Sequence, residues 1–429
     1  MDRVTTVAIT TLGCKANWAD SEALSQRLAA AGIEIVPFDA EAEIYVVNTC
    51  TVTALASAQS RQTIRRALRR APSARVIAAG CLGEMSRDSL ARIRGVEAVF
   101  GAAGRGGLAD HILRRAGLAP DPCRGDAGFG PVPDGAQSRA RAFLKIQDGC
   151  DKRCAYCIIT MARGASRSMP AADAVAAARR LGRHHREIVL AGIDVGQYGL
   201  DLEPHTSILE LIAALAADPA VPRVRLSSLG PGMVDARLAG AIASGGICRH
   251  VHLSIQSGAD PVLARMRRGY RAGDAAAAAE RLAAAVPGIA VTGDLIAGLP
   301  GETRGDHEAT MRLIEKMPIA GLHVFPYSPR DGTEAARMPG QVPHAVRRGR
   351  AADLRALAAE KRGAFLEGLI GTPLDVIVTS RGPDRRGMVE AFSDNGVSVS
   401  LPAGKIGYGQ LGRASIASVS GVAAAGEWL

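Results

Sequence analysis

Apolar positions fall into short runs at residues 4–9, 43–48, 75–79 and 96–99, and the stretches near 19–31, 54–70 and 85–93 repeat at helical spacing. That alternation predicts parallel strands joined by crossover helices over residues 1–118. Residues 119–140 are rich in Gly, Pro, Asp and Arg, lack periodicity and read as a linker. Six further strands are expected at 143–146, 187–191, 223–227, 250–255, 289–296 and 322–325, with helices such as 171–182, 206–217 and 304–317 between them. Six strand–helix units make three quarters of an eightfold barrel, assigned here to 141–370. From 371 to 429 the runs are short and separated by glycines, at 374–378, 387–391, 397–400 and 414–419, as in a small antiparallel barrel. The expected fold class is α/β, with an N-terminal open parallel sheet, a central partial (β/α)6 barrel and a C-terminal antiparallel β-barrel.

Six of the eight cysteines fall on this frame in two sets of three. Cys150, Cys154 and Cys157 form a C-x3-C-x2-C loop after the first barrel strand, where barrel folds place their active sites. A closed structural metal site takes four ligands, so three leave a position open. The spacing suits a 4Fe–4S cluster with one iron free to bind a small molecule. A zinc site completed from elsewhere, or thiols clustered by chance, are the other readings. Cys14, Cys50 and Cys81 each follow a strand of the first segment, about one strand–helix–strand unit apart. Side chains leaving neighbouring parallel strands at their carboxyl ends converge on one edge, so these three are expected to hold a second open cluster. Buried structural cysteine is the alternative. Gly13 and Gly80, each beside a cysteine, let backbone approach a bulky group.

Composition narrows the class. The 429 residues are 47% apolar with only seven Phe, six Tyr and two Trp. No run approaches the roughly 18 apolar residues of a membrane span. Met1-Asp2-Arg3 leads into a strand-like run and not into a secretory signal. Eight cysteines in that context are expected in a reducing cytoplasm, binding metal and not forming disulfides. The net charge of +10 allows a polyanionic partner. Arg61, Arg65 and Arg69 form a stripe with Arg66 and Arg70 beside it, either a phosphate grip or a solvated face.

Longer stretches are more specific: Leu12-Gly13-Cys14-Lys15-x-Asn17, Val47-Asn48-Thr49-Cys50-Thr51-Val52-Thr53, Lys145-Ile146-Gln147-Asp148-Gly149-Cys150, Ala162-Arg163-Gly164, His252-Leu253-Ser254-Ile255-Gln256-Ser257-Gly258, Gly298-Leu299-Pro300-Gly301-Glu302-Thr303 and His323-Val324-Phe325-Pro326-Tyr327-Ser328-Pro329-Arg330. On these the chain resembles the radical S-adenosylmethionine methylthiotransferases, over essentially its whole length. The resemblance implies two 4Fe–4S clusters: Cys150, Cys154 and Cys157 match the one that binds S-adenosylmethionine, and Cys14, Cys50 and Cys81 match an auxiliary one that handles sulfur. It also implies a TRAM-like RNA-binding module at 371–429, where basic and acidic residues balance and charge alone would not predict RNA binding.

S-Adenosylmethionine contacts are expected after the later strands, at Gly192, Asp194, Ser227, Ser228, Gln256, Ser257, Asp294 and Gly298, each with an ordinary polar loop cap as its alternative. Arg163 is expected to meet a carboxylate or phosphate, or to make a structural salt bridge. No side chain is assigned as catalytic, because the cofactors carry the radical chemistry. Thr160, Gly230 and Gly293 depart from the family pattern, where proline, an acidic residue and threonine are usual. They bear on substrate detail, since none touches a cysteine. Cys123 reads as incidental in the linker and Cys248 as a helix-to-strand connector.

Within the family, subgroups act on isopentenyladenosine or threonylcarbamoyladenosine beside the tRNA anticodon, or on an aspartate of a ribosomal protein. The Gly13-Cys14-Lys15 start and the 323–330 stretch look most like the threonylcarbamoyladenosine subgroup. That implies methylthiolation of adenine C2 with two S-adenosylmethionine molecules, tRNA as partner, a flavodoxin- or ferredoxin-type electron donor, and a sulfur donor. A non-catalytic Fe–S RNA-binding protein is the reading from another class, against which both intact triads count.

Overall fold

The computed structural model describes residues 5–119, 129, 132, 134–404 and 406–429. Its first sheet comprises β1 (Thr6–Thr11), β2 (Glu34–Val36), β3 (Ile44–Thr49), β4 (Arg75–Gly80) and β5 (Val96–Phe100), ordered β2-β1-β3-β4-β5 with all pairs parallel. β3 is buried along its whole length, as a central parallel strand must be. Its alternating side chains feed two cores, Ile44 and Val46 on one face and Tyr45 and Val47 on the other.

The first helix, Lys15–Ala30, starts four residues before the expected one. Asn17 explains the early start: its side-chain amide donates to Leu12 O (2.7 Å) and Thr49 O (3.1 Å), fixing the first turn against two strand ends. The helix Ala54–Arg70 matches its prediction. The expected helix at 85–93 is two short ones, Cys81–Met85 and Arg87–Ala91, broken at Ser86. The edge strand β2 and the helix Gly106–Arg115 carry too little periodic signal to be predicted: three residues in one case, a double-glycine start in the other.

The central unit has β6 (Ala142–Lys145), β7 (Gln147–Asp148), β8 (Arg167–Ser168), β9 (Glu187–Ala191), β10 (Arg223–Leu226), β11 (Ser228–Leu229), β12 (His250–Gln256), β13 (Ala290–Ala297) and β14 (Gly321–Pro326). Two parallel ladders, β10-β9-β6 and β11-β12-β13-β14, form the partial barrel. β10 and β11 are the expected strand 223–227 interrupted at Ser227 and continued to Leu229. β7 and β8 pair antiparallel and clasp the cysteine loop between them. Among the described residues no ladder joins β6 to β14, and the helix Lys15–Ala30 lies along β6 at that opening. Ala19 and Trp18 pack there on Phe143 and Val189.

The expected linker lies partly outside the described residues, as does Cys123. Its later part is clamped: Gln137 N donates to His185 Nε2 (2.8 Å), and Ser138 N donates to Glu22 (3.0 Å) of the first domain. Cys248 is buried in the connection between the helix Ala236–Ala243 and β12.

The helix His344–Glu367 leads to β15 (Pro373–Val378), β16 (Met388–Ser393), β17 (Ser398–Pro402), β18 (Leu411–Ser420) and β19 (Ala423–Trp428), a closed barrel ordered β15-β16-β17-β19-β18. β19 was not expected, its sequence being mostly Ala and Gly; its parallel pairing with β17 closes the barrel. Arg225 joins this barrel to the central one. It makes a bidentate pair with Glu187 (2.6 and 3.2 Å) and donates to the carbonyls of Ser393 (2.8 Å) and Asp394 (3.1 Å). Among the described residues no helix is long and apolar enough to cross a membrane.

Candidate active site between two cysteine triads

β1, β3 and β4 are neighbours, so Cys14, Cys50 and Cys81 leave the same carboxyl edge of the sheet. Cys14 is exposed, and Cys50 and Cys81 are buried. Gly13 has φ +96°, and a Cβ there would lie 2.8 Å from both Cβ and Sγ of Cys50, so only glycine fits. Cys50 N donates to Ser60 Oγ (3.1 Å), which anchors the loop on the following helix.

The second triad is shaped by Gln147. Its Oε1 accepts from Ile193 N and Asp194 N (2.9 Å each), and its Nε2 donates to Gly149 O (2.8 Å) and Ser166 Oγ (2.9 Å). One side chain thus ties the cysteine loop to the loop after β9. Gly149 has φ +72° and abuts the carbonyl of Ala165. Cys150 N donates to Gly164 O (3.1 Å) and Cys157 N to Cys154 O (3.0 Å).

Among the described residues, His252, Asp294 and His323 bring three ligand atoms within 4.8 Å of one another. Each cysteine triad offers three thiols, a number that suits a polynuclear group with an open position. Burial pushes the thiols of Cys50, Cys150 and Cys157 up to about 11. Neutral at physiological pH, they ionise only when a cation compensates, so metal loading expels protons.

Arg163 lies between the triads, fully buried. Its Nη1 pairs with Asp148 (2.6 Å), its Nη2 reaches Asp20 (3.2 Å) and Asn17, and its Nε donates to Cys81 Sγ (3.3 Å). Both expected kinds of partner for this residue reduce to one, buried carboxylates. Burial alone would raise Asp148, but Lys145, Arg163 and Arg105 hold it well below the usual carboxylate range. On the other loop Arg268 Nη1 donates to Cys154 Sγ (3.2 Å). A cavity of about 200 Å³ opens beside Cys157, lined also by Val52, Gln256, Asp294, Phe325 and Ser328 among others. Arg330 closes its rim by donating to Thr51 Oγ1 (2.8 Å) and Ser57 Oγ (3.0 Å) of the first domain.

The expected S-adenosylmethionine contacts divide by position. Gln256 and Asp294 line the cavity, and Gln256 holds φ +68°, an uncommon strain for a non-glycine residue. Gly192 packs on Gln147, and Asp194 pairs with Lys152 (2.7 Å) of the cysteine loop. Ser227 is buried with Oγ unpartnered among the described residues, and Ser228 is half-buried beside it. Ser257 turns toward Thr310 (3.4 Å) and accepts from Ala259 N, while Gly298 sits under Arg347 of the helix His344–Glu367. These last two shape turns.

Asp294 carries two imidazoles, His252 Nε2 at 3.0 Å and His323 Nδ1 at 3.3 Å. Burial would raise its carboxyl, and the two histidines hold it well below the usual range. Lys15 is half-buried nearby, its ammonium lowered to about 8 by burial and by Arg225 and Arg141, with Asp294 and Cys14 acting the other way. Arg65, Arg66, Arg69 and Arg70 are exposed, and Arg61 is half-buried. Sequence reasoning did not single out Arg268, which stands far from Cys154 along the chain with no local signal. Asn17, Gln147 and Lys15 lay inside stretches already noted, but their partners are long-range.

A partial parallel barrel with a three-cysteine loop after its first strand defines a radical S-adenosylmethionine enzyme, and residues 144–314 match the Radical SAM superfamily. Residues 6–101 match the Uncharacterized protein family UPF0004. The chain is 34% identical over 379 residues to the threonylcarbamoyladenosine tRNA methylthiotransferase MtaB of Thermotoga maritima, covering 87% of this chain and 86% of that one. It is 35% identical over 406 residues to the MtaB of Bacillus subtilis, covering 92% and 90%. It is also 35% identical over 388 residues to the ribosomal protein uS12 methylthiotransferase RimO of Desulforudis audaxviator, covering 87% and 85%. Among solved structures, the radical S-adenosylmethionine methyltransferase TsrM from Kitasatospora setae aligns with a TM-score of 0.55 at 16% identity, over 78% of this chain and 77% of that one; this likeness concerns the fold. The chain belongs to the radical S-adenosylmethionine methylthiotransferase family, in its MtaB-like subgroup.

Proposed function

We propose that this enzyme adds a methylthio group to C2 of N6-threonylcarbamoyladenosine beside the anticodon of tRNA, in the cytoplasm. The observation that carries the reading is a cysteine triad in each of two domains, linked by Arg163, which follows the barrel's cysteine loop and donates to Cys81 Sγ of the first domain. Cys150, Cys154 and Cys157 would hold the 4Fe–4S cluster that binds S-adenosylmethionine, and Cys14, Cys50 and Cys81 an auxiliary one. Bound there, the clusters and two molecules of S-adenosylmethionine would supply radical and sulfur-transfer chemistry, which no general base could replace at an unactivated adenine carbon.

The protein positions and shields. Gln147 fixes the cysteine loop, Gln256 and Asp294 line the nucleoside space, and Phe325, an exposed aromatic in that space, offers a stacking face for a base. Asp194, Ser227 and Ser228 belong to the loops that hold S-adenosylmethionine, with Gly192 keeping its loop close to Gln147. Gly298 and Ser257 shape the turns that follow β13 and β12. The closed C-terminal barrel would grip the tRNA, and electrons would come from a flavodoxin- or ferredoxin-type donor.

The test is anaerobic reconstitution with an anticodon stem-loop carrying threonylcarbamoyladenosine, followed by nucleoside mass spectrometry. The methylthio nucleoside should form. Modification only of an isopentenyladenosine stem-loop, or only of a ribosomal protein, would replace the substrate. Iron should fall from about eight to about four per chain in Cys14→Ala/Cys50→Ala/Cys81→Ala.

A further inference from the structure

The helix Ala54–Arg70 carries Arg61, Arg65, Arg66, Arg69 and Arg70 and no acidic residue. Its apolar side is packed inward, with Ile64 and Ala67 in the core of the first sheet and Leu68 against them. Arg65, Arg66, Arg69 and Arg70 stand exposed on the other side, and Arg61 is half-buried at its border. Among the described residues none of these five arginines makes an ion pair. Exposed arginines elsewhere do find carboxylates, as in Arg179–Asp218, Arg237–Asp235, Arg267–Glu334 and Arg304–Glu308. A solvated helix face of ordinary composition mixes signs in that way. Here Arg66 lies over the Phe38 ring (5.3 Å) and Arg61 donates to Ser89 Oγ (3.4 Å), contacts that hold the side chains without cancelling their charge. The adjoining turn adds to the field: Gly95 abuts the Leu68 side chain, with Arg92 and Arg94 exposed on the same turn.

This helix begins at the cavity. Its cap Thr53 and the preceding Val52 line that space, and Ala54 N donates to Ser328 Oγ (3.0 Å) across the domain boundary. At 1.5 Å per residue, Arg61 stands about 10 Å and Arg69 about 22 Å along the helix from Ala54. Cations one turn apart along a single face suit a linear polyanion, whereas a small anion needs its cations to converge. The C-terminal barrel offers no such excess, because basic and acidic residues balance over 371–429.

We infer that the helix Ala54–Arg70 is a phosphate rail for the RNA strand whose base enters the cavity, so that the first domain, and not the C-terminal barrel, supplies most of the ionic attraction for tRNA. This rests on the function proposed above. Val52 and Phe325, both exposed apolar side chains at the cavity, meet the unstacked base, and the backbone beside it runs out along the arginines. Phosphate contacts set register and orientation without reading sequence, so the rail serves any tRNA that presents the right base.

The experiment measures the affinity of the cluster-loaded enzyme for an anticodon stem-loop bearing threonylcarbamoyladenosine across a range of salt concentrations. Arg65→Gln/Arg69→Gln removes two charges and keeps the helix propensity. Its plot of log affinity against log salt should flatten by about 1.5, with binding about tenfold weaker at low salt. KM for modification should rise likewise, while kcat and RNA-free cleavage of S-adenosylmethionine stay as in wild type. Arg65→Lys/Arg69→Lys, which keeps the charges, should keep the wild-type slope. Arg385→Gln/Arg386→Gln takes the same charge from the C-terminal barrel and should change the slope by less than half as much. An unchanged slope in Arg65→Gln/Arg69→Gln with iron content intact, or an equal or larger change in the barrel variant, would overturn the rail. If Arg65→Gln/Arg69→Gln loses iron, Arg70→Gln decides by half the expected change. A wild type that binds no stem-loop and modifies only a ribosomal protein would instead sink the function reading, and the rail's partner with it.

Discussion

Arg163 holds more of the site than any other single residue. Its three guanidinium nitrogens reach four groups, two carboxylates, an amide oxygen and a thiol, and those groups come from both domains. Removing one side of such a buried pair typically costs about 3–5 kcal/mol, because the carboxylates stay behind uncompensated. Arg163→Met should therefore lower the denaturation midpoint and reduce iron retention together, read by urea titration and iron assay. Arg163→Lys, which keeps the charge but cannot span four partners, should recover only part of each. Glu187 gives a pH signature. Burial would raise it, but Arg225, Arg223 and Arg141 hold it at about 2, against 4.5 in an unfolded chain. The stabilisation, about 3 kcal/mol, is complete above pH 4.5 and drains as pH falls toward 2. Glu187→Gln should flatten that part of a stability–pH profile measured by denaturant melts.

At the scale of elements, loops decide the chemistry and strands only aim them. Gly149 starts the cysteine loop in a left-handed conformation against the Ala165 carbonyl. Gly149→Ala should displace that carbonyl and prevent assembly of the iron site, with the far-ultraviolet circular dichroism little changed; normal iron loading would refute the role. Strands with uniform apolar runs, such as β3 and β9, were legible because burial on both faces writes itself into composition. β2, β7, β8 and β19 were not: two or three residues, or a run of alanines, become strands only when a neighbour supplies the ladder. The cysteines could be read because strand ends repeat. Arg268 and the His252–Asp294–His323 array could not, since adjacency across strands is set by register, which no single stretch encodes.

At the scale of the molecule, three units share two interfaces. The C-terminal barrel is docked through Arg225 to the Ser393 and Asp394 carbonyls and through Arg249 to the Asp394 carboxylate (2.7 Å). Asp394→Ala should loosen it, seen as faster amide exchange in β10 and β16 and weaker binding of an anticodon stem-loop. The other interface has a different consequence. The central barrel lacks a wall between β6 and β14, and what stands nearest that gap is the helix Lys15–Ala30, from a separately folded sheet. That side of the barrel is therefore covered by a packing contact and not by a hydrogen-bonded ring of strands. That contact is held by Asp20, which pairs with Lys145 and Arg163 of the central unit. When that contact weakens, the enzyme will fail first as a leaking vessel, losing its iron to air while every domain is still folded.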